Sequence, residues 1–382
     1  LNSGLRKLPS NLLLSLSALA VGLLLLEVAA RLLLEPDGLP SSADYTQHDP
    51  LLGWSKRPGA RVRFPRGDYA INSHGLRDRE RVYRTARGTF RLLALGDSFV
   101  EGMSVRFEDS VAPALERELA RPGCAVEVIN GGTVAWSTDQ EYLFYRELGV
   151  RYEPRVVLLF LYHNDVLYNG RADYAHRPKP LLAFRDGEPY VKNAPVPRRE
   201  LPPPSPVPRA RVKGSLALGW LSARLRRSLP DAGPPPLELG IFASEPPREV
   251  QTAWEHTVAI LRALARQTSA RGARLLVVYV PAKMEVSERE WALARRRYGL
   301  DEGAWDRSRL ARLLREAGQA VGFPVLDPTA ALRAVERGWR GGPYHTDGGH
   351  WNALGHATAA RAVAAFLRGE GWVPCPAASS GE

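Results

Sequence analysis

The stretch Arg155-Val-Val-Leu-Leu-Phe-Leu-Tyr162 has no polar residue between its two ends. A strand that is apolar at every position has no face to give to water. It must be covered on both sides, and such strands belong to parallel sheets sandwiched between helices. Shorter segments repeat the pattern: Leu92–Gly96, Ala125–Asn130, Arg274–Pro281 and Pro324–Asp327. Between them, Asp109–Ala120, Thr138–Leu148, Glu249–Ser269, the charged region Ser287–Ala317 and Asn352–Leu367 read as helices. The alternation predicts an α/β domain of the three-layer, flavodoxin-like type with a parallel sheet. Open sheets of this kind keep their active sites at the carboxyl edge of the strands.

The ends of the chain set the domain limits. Arg6 and Lys7 precede an apolar run from Leu12 to Leu34, which Glu27 and Arg31 interrupt. Twenty-three residues are enough to cross a bilayer, and no small-x-small cleavage site follows, so the run reads as an uncleaved transmembrane helix. With the basic residues before it and Glu35 and Asp37 after it, the short N-terminus is expected in the cytoplasm. The rest would then lie outside the bacterial inner membrane, with the membrane as a partner. Residues 1–35 are thus the stub and anchor, 36–90 a linker and irregular extension without evident chemistry, 91–372 the α/β domain and 373–382 a tail.

Proline marks an insertion at about 170–248. Sixteen of the 31 prolines fall between Arg177 and Arg248, including the runs 202–206 and 234–236, with a helical island at 216–225. Proline at that density opposes regular helix and sheet, so the segment is either a lid or substrate arm or a tolerated surface loop. The net charge of +11 comes from scattered arginines and no recognition module accompanies it, so nucleic acid is not an expected partner. Cys124 and Cys375 could form at most one bridge, and no Cys/His spacing suggests a metal. No cofactor is expected, and the sequence leaves the oligomeric state open.

Polar residues gather where the strands end. Gly96-Asp97-Ser98 closes the first, Asn130-Gly-Gly-Thr-Val-Ala135 the second and His163-Asn164-Asp165 the third; Asp347 and His350 precede the last helix. A serine hydroxyl attacks at neutral pH only if a base takes its proton, and histidine has the appropriate pKa. A carboxylate then holds the imidazole in its working tautomer. Backbone amides and an Asn side chain can stabilise the oxyanion of acyl transfer. Taken alone, Gly-Asp-Ser is also what a helix cap looks like.

At these residues the chain resembles the SGNH, or GDSL-type, hydrolase family, specifically its membrane-anchored bacterial members. Gly96-Asp97-Ser98, the Asn130–Ala135 loop, Asn164-Asp165 and Asp347-x-x-His350 follow the order of its first, second, third and fifth blocks. The resemblance implies Ser98 as nucleophile, His350 as base and Asp347 as its orienting acid. It implies an oxyanion hole from the Ser98 amide, the second-block amide at Ala135 and the Asn164 side chain. Asp97, Gly132 and His163 are candidate pocket residues, and Asp97 is expected to fix the turn by bonding backbone amides. Two positions depart from the family pattern: alanine replaces the second-block glycine at 135, and Tyr162 replaces a glycine two residues before Asn164. Gly131 and Gly132 also carry amides that could point inward.

The expected function is ester hydrolysis through an acyl-Ser98 intermediate, on an O-acyl, specifically acetyl, group of an extracytoplasmic glycan. Two alternatives stand beside it. The same triad could pass the acyl group to a cell-surface polysaccharide, or the chain could be a non-catalytic carbohydrate-binding scaffold. His345 and His356 compete with His350 as the base, and Lys283, just after a strand, could meet an anionic substrate.

Overall fold

The computed structural model describes residues 10–33, 42–64, 67–84, 86, 88–198, 233–301, 303–336, 341–345 and 349–373. The chain divides into two units, Leu1–Gly38 with Leu201–Asp231, and Leu39–Glu200 with Ala232–Glu382.

In the first unit, helix α1 (Ser10–Leu33) covers the N-terminal apolar run. Among the described residues, however, no helix is long and apolar enough to cross a membrane. The sequence shows why. Only Leu12 to Leu26 is free of charge and amide side chains, and fifteen residues at about 1.5 Å each span roughly 22 Å, short of the ~30 Å hydrocarbon core. Glu27 and Arg31 then interrupt the run, where buried charge is costly. The expected transmembrane helix, the membrane as a partner and the inner-membrane localisation built on them are therefore overturned.

The second unit opens with two small hairpins, β1 (Thr46–Asp49) with β2 (Gly53–Lys56) and β3 (Arg61–Phe64) with β4 (Gly67–Ala70). The alternating strands and helices follow: β5 (Thr89–Leu95), α2 (Ser98–Glu101), α3 (Val111–Leu119), β6 (Ala125–Asn130), α4 (Thr138–Glu147), β7 (Val156–Tyr162) and α5 (His163–Asn169). Two further hairpins, β8 (Asp173–Tyr174) with β9 (Arg177–Pro178) and β10 (Leu182–Arg185) with β11 (Glu188–Val191), begin the proline-rich region. The proline run 202–206 and the helical island 216–225 lie outside the described residues, as do Asp347, Cys375 and the tail beyond 373. The alternation resumes with α6 (Arg248–Ala270), β12 (Arg274–Val280), α7 (Lys283–Val286), α8 (Glu288–Tyr298), α9 (Arg309–Val321), β13 (Val325–Leu326), α10 (Thr329–Val335) and α11 (Ala353–Gly369).

The main sheet has the order β13-β12-β7-β5-β6, every neighbouring pair parallel. β7 is its central strand, in register through Ala94↔Leu158 on one side and Leu276↔Leu158 on the other. Its side chains alternate as strand geometry requires. Val157, Leu159 and Leu161 pack with residues of α4, α6 and α9, whereas Val156, Leu158 and Phe160 pack with residues of α3 and α11. Both faces are thus covered, in the three-layer arrangement expected from the apolar run. Cys124, just before β6, is held in a disulfide.

Candidate active site

Ser98 stands immediately beyond β5, at the carboxyl edge of the sheet. Gly96 makes the approach possible: a Cβ there would lie 2.4 Å from Val100 Cγ2 and 3.2 Å from Phe160 Cβ. Asp97 caps α2, accepting a 2.8 Å hydrogen bond from the Phe99 amide. Burial pushes the Asp97 carboxyl up to about 7. The capping role therefore falls to Asp97, and the Ser98 hydroxyl, which also bonds that carboxyl, can reach a further partner.

That partner is His350. Ser98 Oγ lies 2.8 Å from His350 Nε2. The histidine reaches it from a loop tied down at several points. The His345 amide donates to the His350 carbonyl at 3.0 Å, the Tyr344 hydroxyl to Pro281 O at 2.6 Å, and Ser104 Oγ to Trp351 O at 3.0 Å. Lys283 donates to the His345 carbonyl at 3.1 Å and faces Glu290 at 3.4 Å, so it braces this loop. Phe99 packs against both rings, 5.0 Å from His350 and 5.1 Å from Trp351 between centroids. A hydroxyl and an imidazole placed this way can exchange a proton, which is what an activated serine requires.

Of the rivals, His345 lies in the same loop, its carbonyl accepting from Lys283, while His356 and the pocket candidate His163 are buried. His356 is buried in α11, and burial pushes it down to about 3. His163 is buried between Tyr162 and Phe242, centroids 4.1 and 5.5 Å away, and burial likewise lowers it to about 3. Both rings are neutral in the folded protein. An unfolded histidine takes up a proton near pH 6.5, so this contribution to stability is complete above that pH and is lost as the pH falls toward 3. The expected result is a steeper acid loss of stability in the parent than in His356→Gln, with the gap changing by about 2 kcal/mol between pH 6.5 and 5. Urea unfolding at the two pH values measures it.

The second-block loop makes a β-turn, Thr133–Trp136, closed by a 3.1 Å bond from the Trp136 amide to the Thr133 carbonyl. Its third residue, Ala135, has φ of 60°, the signature of a type II turn that normally takes glycine there. The amides around it are occupied. Gly131 donates to Ala94 O, Gly132 to Asn130 Oδ1, Thr133 to Gly96 O and Val134 to the Glu101 carboxylate. The amides of Ala135 and Ser98 have no acceptor among the described residues. Gly132 supplies closeness rather than a donor, since a Cβ there would sit 2.3 Å from the Glu101 nitrogen.

Asn164 lies in the first turn of α5, and its Nδ2 donates to the Tyr174 hydroxyl at 3.3 Å. Asp165 accepts from the Tyr162 amide at 2.9 Å and so holds the strand end. Tyr162 packs 4.8 Å from Phe99, crowding the edge where Ser98 and His350 meet. The structure thus brings Ser98 and His350 into contact and leaves the Ala135 amide open. Among the described residues no group of acidic, His or Cys side chains could hold a metal.

The extension at 36–90 shows no chemistry in its sequence, yet side chains from it surround this loop. Lys56 donates to Gly132 O and to Thr133 Oγ1, the latter at 2.6 Å. Tyr69 donates to Glu101, and the Trp54 indole to Val134 O at 3.0 Å. Burial lowers Lys56 to about 8 and raises Glu101. The available signal was the acid at Glu101 itself, one turn beyond Ser98 on a helix too short to expose it.

A parallel three-layer sheet with a serine and histidine in contact at its carboxyl edge defines a serine hydrolase of the SGNH class. The chain belongs to the GDSL-like lipase/acylhydrolase family, whose model matches residues 94–292, more than half of it. A second model, described as an SGNH hydrolase-like domain of acetyltransferase AlgX, matches residues 242–378. No curated protein matches. Similar solved structures include a lipase/acylhydrolase from Enterococcus faecalis, 12% identical, covering 74% of this chain and 96% of that one at a TM-score of 0.38. An acetylxylan esterase from Geobacillus stearothermophilus is 15% identical, with 75% and 97% covered and a TM-score of 0.39. A GDSL-like lipase from Bacteroides thetaiotaomicron is 10% identical, with 73% and 88% covered and a TM-score of 0.35. The protein is a hydrolase acting on ester bonds by the serine mechanism typical of this family, and the non-catalytic scaffold reading falls.

Proposed function

We propose that the protein releases an O-acyl group, specifically acetyl, from a glycan, with Ser98 as nucleophile, His350 as base and Asp347 as the acid that orients it. The observation that carries this reading is the 2.8 Å contact between Ser98 Oγ and His350 Nε2, two groups 252 residues apart in sequence. In the first step the Ser98 oxygen attacks the ester carbonyl while His350 Nε2 takes the hydroxyl proton. The oxyanion accepts from the Ser98 and Ala135 amides and the Asn164 side chain. His350 returns the proton to the departing sugar oxygen, leaving acyl-Ser98. Water, deprotonated by the same ring, then releases the acid and restores the serine.

A short acyl group suits an edge crowded by Tyr162 and Phe99. The acetyl assignment also draws on the family match at 242–378, described as an SGNH hydrolase-like domain of an acetyltransferase. That description favours a second reading, in which a sugar hydroxyl replaces water in the last step. Incubation with acetyl-labelled p-nitrophenyl ester and a glycan acceptor separates the two: free acetate marks hydrolysis, labelled glycan marks transfer. A preference for long acyl chains over acetyl would contradict the substrate assignment. Asn164→Ala is expected to lower kcat by about 10²–10³ with KM little changed, the cost of one oxyanion donor, checked by steady-state kinetics on the acetyl ester.

A further inference from the structure

We propose that Trp54 is a positioning residue that fixes the peptide unit supplying the second-block oxyanion donor. The inference rests on the functional reading above, in which the Ala135 amide receives the oxyanion. The carbonyl of Val134 and the amide of Ala135 belong to one planar trans peptide, so they point in opposite directions. The Trp54 indole N–H holds the Val134 carbonyl at 3.0 Å, and this sets where the Ala135 N–H points.

The peptide needs such a hold. Alanine at the third position of a turn prefers negative φ, and rotation of the Val134–Ala135 peptide would restore it, converting the type II turn to type I and turning the amide away. That rotation would break the Trp54 bond to Val134 O, and three further contacts fix the chain that flanks the peptide. The Glu101 carboxylate takes the Val134 amide, Lys56 takes Gly132 O, and the Trp136 indole donates to the Trp54 carbonyl at 3.0 Å, so loop and extension hold each other. Trp54 is itself fully buried, with the Arg177 guanidinium 4.2 Å from its ring. A glycine at 135 would favour the type II turn unaided; this chain has alanine there, and a tryptophan brought in from eighty residues upstream.

The test is Trp54→Phe, which keeps an aromatic ring and removes the N–H, made in the parent and in an Ala135→Gly background. In the parent, kcat on an acetyl ester is expected to fall about tenfold or more, with KM within about twofold. In the Ala135→Gly background the same substitution is expected to cost at least about fivefold less, because glycine adopts positive φ freely. An unchanged kcat in Trp54→Phe, or an equal loss in both backgrounds, overturns the proposal. Melting temperatures identify any loss through unfolding. If Trp54→Phe does not fold, replacing Trp54 by benzothienylalanine, which keeps the bicyclic shape and lacks the N–H, gives the same comparison. Ser98→Ala measured alongside separates the two levels. Turnover surviving it contradicts the serine reading, whereas its loss beside an unaffected Trp54→Phe contradicts the positioning role alone.

Discussion

Ser98→Ala is expected to reduce ester turnover by about a million-fold, leaving only the residual rate that binding and the oxyanion donors support, while the protein stays folded. Both halves follow from the geometry. In the proposed reaction the hydroxyl oxygen is the atom that becomes acylated, so its loss is not made good by another group. Its structural duties are slight, because Asp97 rather than Ser98 caps α2 through the Phe99 amide. Losing the Asp97 cap would cost about 1 kcal/mol of stability, whereas losing the Ser98 hydroxyl removes its contact with His350 and its bond to the Asp97 carboxyl but leaves the cap in place. Of the two explanations of Gly-Asp-Ser in the sequence, the cap belongs to Asp97, and the proposed nucleophile is its neighbour. Acetate release and thermal melting on the same sample check the pair of expectations.

His350→Ala carries the second largest expected effect, a loss of about 10⁴-fold or more in kcat. Without the ring Ser98 loses the imidazole placed to take its proton. The other candidate histidine in the last helix cannot substitute, since His356 is buried with Trp351 and held neutral by its burial. Nor does the loop depend on the His350 side chain for its shape. It is tied through the His345–His350 backbone bond, the Tyr344 hydroxyl and Lys283, all of which survive the substitution. The loss is therefore expected in kcat, with a circular dichroism spectrum and melting temperature close to the parent. Retention of more than a few per cent of the parent rate would remove His350 from the role of base.

The sheet was legible because β7 is apolar throughout, and a strand of that kind has few places to go. Its neighbours were legible as shorter versions of the same pattern. Residue types and strand ends suggested a serine and a histidine, and the order of the family blocks singled out Ser98 and His350. The loop between β6 and α4 was harder. Several amides lie within six residues, and only the hydrogen bonds of the folded chain show that Gly131, Gly132, Thr133 and Val134 are occupied while Ala135 is open. Local preference pointed the wrong way, because alanine at positive φ is stable only when other parts of the protein hold it. Those parts, Trp54, Lys56 and Tyr69, come from a segment whose short alternating runs carried no motif. Their meaning depends on long-range contacts that periodicity does not encode. The N-terminal run shows the opposite error: counted to Leu34 it looks long enough to span a bilayer, but its uncharged portion ends at Leu26.

The central claim is that Ser98 is a nucleophile activated by His350. Incubating the folded protein with a fluorophosphonate probe, digesting it and mapping the adduct by mass spectrometry tests this most directly. The expected result is a single adduct on Ser98, absent from Ser98→Ala and formed far more slowly in His350→Ala. An adduct on a different residue, or none in a sample shown to be folded, would contradict it.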